Sequence, residues 1–62
     1  MNKNLVGKVY KLANGNKWGE VISQVDLTAE VKVRLSDGAV TTFGYYEVVS
    51  WIKDGVLIEV TQ

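Results

Sequence analysis

The run Glu30-Val31-Lys32-Val33-Arg34-Leu35 alternates charged and apolar side chains without a fault, and Ser36-Asp37-Gly38 stops it. A strand sends successive side chains to opposite faces, whereas a helix would scatter this period-two pattern around its circumference. The third strand is therefore placed at Ala29 to Leu35, with Val31, Val33 and Leu35 on a buried face and Glu30, Lys32 and Arg34 on a wet one. The turn after it can be drawn in two registers. A two-residue Asp37-Gly38 loop sets Leu35 against Val40 and leaves Phe43 on the polar side, opposite Lys32. A three-residue Ser36-Asp37-Gly38 loop with a left-handed Gly38 sets Leu35 against Ala39, Val33 against Thr41 and Val31 against Phe43. The second register is preferred, because burying a phenylalanine is worth roughly 1.5–3 kcal/mol and the first leaves the ring in water.

The same grammar of short apolar stretches cut by Gly, Asn and Asp runs through the rest of the chain. A first strand is expected from Leu5 to Leu12, followed by a tight turn in which Asn14-Gly15 supplies two positive-φ positions. A second runs from Lys17 to Val25, and Asp26-Leu27-Thr28 breaks it. Ile52-Lys53-Asp54-Gly55-Val56 repeats the punctuation of Leu35-Ser36-Asp37-Gly38-Ala39, so a second three-residue hairpin is expected. It would pair Ile52 with Val56, Ser50 with Ile58 and Val48 with Val60, leaving Trp51 with Leu57 and Val49 with Glu59 on the opposite face. No sustained helical period is read, and the β-branched content works against one. A single short helical turn around Gly44-Tyr45-Tyr46-Glu47 would link the fourth strand to the fifth. The expected fold is one all-β domain over residues 1–62, a small barrel of five or six antiparallel strands, which hides strand edges. Its expected core is Val9, Val21, Val31, Val33, Leu35, Phe43, Val48, Ile52 and Ile58.

Composition then removes whole classes of function. The 62 residues include no Cys, His or Pro, and seven basic side chains balance seven acidic ones. A chain of this size has no disulfide or zinc staple available and must rely on dense packing or self-association. Without thiolate or imidazole, structural zinc, thiol catalysis and Ser-His-Asp hydrolysis are excluded. The carboxylates form no pair that stands out, since Asp37 and Asp54 sit before glycines in turns. The glycines fall singly at bends and build no phosphate loop. No catalytic residue, metal or cofactor is therefore expected, and the chain is read as a non-enzyme. Its amino-terminal stretch Met1 to Lys8 has no apolar run typical of a signal peptide, and no segment approaches the ~18 apolar residues of a membrane span. A cytoplasmic location with no membrane partner is expected.

The run Val31-x-Val33-x-Leu35-x-Asp37-Gly38, followed by Phe43 and Glu47-Val48, resembles the central hairpin and closing turn of SH3-like small barrels of the Tudor and KOW type. Val6-Gly7-Lys8-Val9 and Trp18-Gly19-Glu20-Val21 look like the opening strands of the same barrels. The resemblance spans roughly residues 6 to 52, and Lys53 to Gln62 extend beyond the usual five strands. It implies a binding module for peptides, modified side chains, RNA or another subunit, among which the fold alone does not choose. For a methyl-ammonium cage of the Tudor kind, Tyr10, Trp18, Tyr45 and Tyr46 are the available walls.

Adjacent tyrosines in an extended or turn segment cannot both point inward, so at least one of Tyr45 and Tyr46 is expected at the surface. Exposed tyrosine beside tryptophan is the composition of a protein recognition surface. The first expectation is therefore docking on a protein partner through Trp18, Tyr45 and Tyr46, with the Trp51 and Leu57 face as a homodimer contact. An accessory or virus-encoded protein that modulates a larger assembly would suit such a chain. The alternative is a small RNA- or DNA-binding module, with Lys32 and Arg34 tracking phosphates and Tyr10 and Trp18 as stacking platforms. Glu20 and Glu30 interleave with those cations and cancel much of their field.

Overall fold

A computed structural model of the protein describes residues 3–60. Met1, Asn2, Thr61 and Gln62, the ends of the 1–62 domain read above, lie outside the described residues. Among the described residues the chain forms β1 (Val9–Leu12), β2 (Lys17–Val25), β3 (Glu30–Leu35), β4 (Val40–Gly44), α1 (Tyr45–Lys53) and β5 (Leu57–Glu59). The five strands make one antiparallel sheet in the order β4-β3-β2-β1-β5. No helix among the described residues is long and apolar enough to cross a membrane.

The β3–β4 hairpin has the expected three-residue register, with Val31 opposite Phe43 and Val33 opposite Thr41. Gly38 is left-handed at φ +92°, and the Leu35 N–H donates to the Ala39 carbonyl at 2.8 Å. The β1–β2 turn is built the same way and corrects the two-residue reading. Of Asn14 and Gly15 only the glycine has positive φ, and the Leu12 N–H donates to the Asn16 carbonyl at 2.7 Å across Ala13-Asn14-Gly15. In both turns the Asx side chain accepts the N–H two residues on, Asn16 to Asn14 at 3.0 Å and Ala39 to Asp37 at 2.9 Å. The first strand begins at Val9 rather than Leu5, because a left-handed Gly7 turns the chain and bonds its N–H to the Val21 carbonyl at 2.8 Å.

The second expected hairpin is overturned, and with it the expectation of no more than one helical turn. Ile52, Ser50 and Val48 do not pair with Val56, Ile58 and Val60; they lie in the nine-residue helix α1, and β5 pairs with β1 instead, Leu57 opposite Leu12. Tyr45, Val48, Val49 and Ile52 stand at i, i+3, i+4 and i+7, which is one stripe of a helix. Tyr45 and Val48 on that stripe are buried, Val49 and Ile52 half-buried, and Tyr46, Glu47, Ser50 and Lys53 face outward. Asp54-Gly55 closes the helix. Gly55, at φ +81°, donates to the Ile52 carbonyl at 3.2 Å while Val56 donates to Trp51 at 2.9 Å, the paired bonds of a Schellman cap.

Bulges bend β2. Tyr10 lies opposite Gly19 but Lys11 opposite Lys17, so Trp18 is an extra residue with no partner on β1. The extra residue cancels the alternation that would have put Trp18 on the outer face with Glu20, and its ring packs against the core. Gly19 beside it is required by close approach. A Cβ there would lie 2.6 Å from the Arg34 carbonyl oxygen and 2.8 Å from Val33 Cγ1.

The buried core is Leu5, Tyr10, Val21, Val31, Val33, Tyr45, Val48 and Leu57. Val9, Leu35, Phe43 and Ile52, expected in it, are half-buried. Ile58 is 42% exposed, because pairing of Leu57 with Leu12 turns Leu57 inward and its neighbour out. Leu5 caps one end of the core and is clamped there. Gln24 accepts the Leu5 N–H at 2.9 Å and donates to the Lys3 carbonyl at 2.9 Å, and the Tyr45 hydroxyl accepts the Lys3 N–H at 2.8 Å.

Candidate functional site

Three elements bring one aromatic ring each to a common point. The bulge on β2 supplies Trp18, the inward face of β4 supplies Phe43, and α1 supplies Trp51, one helical turn past buried Val48. Ring centroids of Trp18 and Phe43 are 5.2 Å apart with a 45° tilt. Trp51 meets both edge-on, at 6.2 Å from Trp18 and 5.7 Å from Phe43, with interplanar angles of 80° and 78°. Each such contact contributes about 0.5–1.5 kcal/mol beyond the area it covers, so the rings hold one another in place. None of the three is fully buried, whereas Val21, Val31 and Val33 beneath the sheet reach 0% exposure. The result is an interlocked apolar cluster, packed against the core and partly exposed at its outer side.

The remaining residues singled out from the sequence are dispersed. Of the tyrosine pair, Tyr45 is buried and Tyr46 is 68% exposed on the outer side of α1, their rings meeting edge-on at 5.2 Å. Leu57 is 2% exposed, so it fills the core and cannot form a docking face with Trp51. Tyr10 is buried too, and neither it nor Tyr45 can wall an open methyl-ammonium cage or stack on a base. Trp18 is engaged by Phe43 and Trp51, apart from the Tyr45–Tyr46 pair. Lys32 and Arg34 project from the outer face of β3 as expected, with Glu20 directly opposite Arg34 on β2. Lys17, Glu20 and Arg34 border a shallow cleft of about 360 Å³ there, so cation and carboxylate share it.

Burial pushes the Tyr10 phenol above its ordinary pKa of 10.0, with Glu59 and then Tyr45 adding to the shift. The phenolate is the form the fold disfavours. Tyr10 therefore contributes stability that is fully present below the unfolded value of about 10 and is lost as pH rises through the higher folded value. Thermal melts should show the midpoint falling in that alkaline range, and Tyr10→Phe should flatten the fall. Among the described residues no group of three or more Asp or Glu side chains is placed to hold a metal ion. The Lys8–Glu59 pair at 3.3 Å is partly exposed on both sides and holds β5 to the segment before β1 with little energy.

Phe43 enters the site although the sequence marks it only as a core residue. Its register opposite Val31 is legible from the turn, but its meeting with Trp18 depends on the bulge and its meeting with Trp51 on the helix. No family model, curated protein or solved structure matches the chain.

Proposed function

We propose that the protein is a non-catalytic binding module that docks on a protein partner through the Trp18, Phe43 and Trp51 rings. The observation that carries this reading is that three mutually packed aromatic rings, one from each of β2, β4 and α1, stay partly exposed. Preorganised aromatics of this kind concentrate binding energy in protein interfaces, because little side-chain entropy is lost when a partner covers them. We also propose that the sheet curls into a small SH3-like barrel. Support comes from the consecutive strand order, the return of β5 to β1, the register shifts in β2, and a helix joining β4 to β5. The protein-docking reading is preferred to nucleic-acid binding because Tyr10, one of the two stacking platforms, is buried, and Glu20 faces Arg34.

The test is affinity capture with tagged protein, with and without nuclease, using wild type, Trp51→Leu and Tyr46→Ala. Thermal melts confirm that each variant folds. A defined protein that survives nuclease and high salt, is lost with Trp51→Leu and kept with Tyr46→Ala, is the expected result. Capture that vanishes with nuclease, or that depends on Tyr46 alone, overturns the proposal.

A further inference from the structure

Strand β4 is an edge of the sheet, paired only with β3. The Leu35 N–H bonds to the Ala39 carbonyl before β4, and the Tyr45 N–H bonds to the Ala29 carbonyl at 2.7 Å after it. By the alternation of an antiparallel ladder, Thr41 and Phe43 bond to β3 while Val40, Thr42 and Gly44 turn their N–H groups the other way. All three of these residues are exposed. Edge strands are usually blunted by lysine, proline, a bulge or a covering segment. Val40-Thr41-Thr42-Phe43-Gly44 carries no charge and no proline, and its register with β3 is unbroken. The opposite edge, β5, is only three residues long and carries Glu59, which is tied to Lys8.

We propose that this edge is where a second copy of the chain pairs, β4 antiparallel to β4 about a two-fold axis through Thr42, joining the two sheets into one. The Thr42 residues of the two copies exchange both their backbone bonds, and each Gly44 N–H donates to the Val40 carbonyl of the other copy. The Gly44 carbonyl stands at the N-cap of α1, where it serves the helix. Side chains fit this register. Thr42 meets Thr42, a favourable cross-strand pair, and each exposed Val40 lies beside a glycine, which leaves it room. Phe43 comes opposite Thr41 of the other copy, on the inward face.

Charge does not oppose this register. Glu30 lies opposite Gly44 and Arg34 opposite Val40 within one chain. Across the axis, each Glu30 therefore lines up with Arg34 of the other copy, three strand spacings or about 14 Å away at the backbone. Gly44 adds no side chain to that row, Val40 of the other copy adds one, and at this spacing the attraction is weak. Lys32 lines up with Lys32 at the same spacing, beyond the ~8 Å Debye length of physiological salt. The neutral edge itself opposes no like charges. A five-residue edge covers little area beside the about 1,200–2,000 Å² of a standard interface, so the dimer is a weak one. The inference goes beyond the docking reading and does not depend on it.

Sedimentation equilibrium from about 10 µM to 1 mM, on wild type, Thr42→Pro and Thr42→Lys, tests it. The expected wild-type mass rises from 6.9 kDa toward that of a dimer and no further. Thr42→Pro removes only an N–H directed away from β3, so it should keep the monomer fold and weaken association at least tenfold. Thr42→Lys places two ammonium groups at the axis and should do the same, and it decides the matter if the proline variant does not fold. A wild type that stays at 6.9 kDa, association unchanged in the folded variants, or growth beyond the dimer overturns the proposal.

Discussion

Leu35-Ser36-Asp37-Gly38-Ala39 and Ile52-Lys53-Asp54-Gly55-Val56 are written alike, apolar, polar, Asp-Gly, apolar, and they do different things. The first reverses a strand into a hairpin; the second ends a helix. Both glycines are left-handed, at φ +92° and +81°. What differs is the aspartate and what comes before it. Asp37 accepts the Ala39 N–H at 2.9 Å with its side chain, whereas Asp54 is a helix C-cap whose backbone N–H reaches the Ser50 carbonyl at 2.9 Å. A right-handed turn closed by a left-handed glycine is local geometry that serves either end. The preceding periodicity chooses between them, two for Glu30 to Leu35 and near 3.6 for Tyr45 to Ile52.

The comparison can be broken first at the glycines. Gly38→Ala and Gly55→Ala should each cost about 1–2 kcal/mol in chemical denaturation, since both force a Cβ into the left-handed region. A large cost at one and none at the other would mean that the two turns do not share their closing residue. The aspartates should separate the turns. Asp37→Ala loses a side-chain to backbone bond and should cost about 1 kcal/mol. Asp54 makes no side-chain hydrogen bond or ion pair among the described residues and sits at the negative end of α1. Asp54→Ala should therefore gain a few tenths of a kcal/mol, and thermal melts in low salt give the sign directly. Similarly small is Ser50→Ala on the exposed face of α1, a gain of a few tenths of a kcal/mol in a helix, where a strand would show a loss.

This pair of turns also explains what the sequence made legible. The β3–β4 hairpin and its register were readable because alternation, an Asx residue and a left-handed glycine agree there, and Val21, Val31, Val33 and Val48 lie in the core as expected. The helix was not, although Tyr45, Val48, Val49 and Ile52 carry its stripe, because Asp54-Gly55 read as a second hairpin and the valines as strand formers. That one substitution of element moved Leu57 from a proposed docking face into the core. At Trp18 the obstacle was different. A bulge shifts the parity of every residue before it, and nothing in Lys17-Trp18-Gly19 other than the small residue marks where the shift falls. Of the adjacent tyrosines Tyr46 is exposed, as at least one had to be, but Tyr45, read as a docking residue, is buried, and so is Tyr10.

Because α1 carries Trp51 to the other two rings, the proposed docking surface stands or falls with it. The direct measurement is NMR assignment of residues 45–53 together with ring-to-ring NOEs of Trp51. Helical carbon shifts across that span, with NOEs from Trp51 to Phe43 and Trp18, are expected from centroid separations of 5.7 and 6.2 Å. Strand shifts there, with cross-strand NOEs between Ser50 and Ile58, would contradict both the helix and the site built on it.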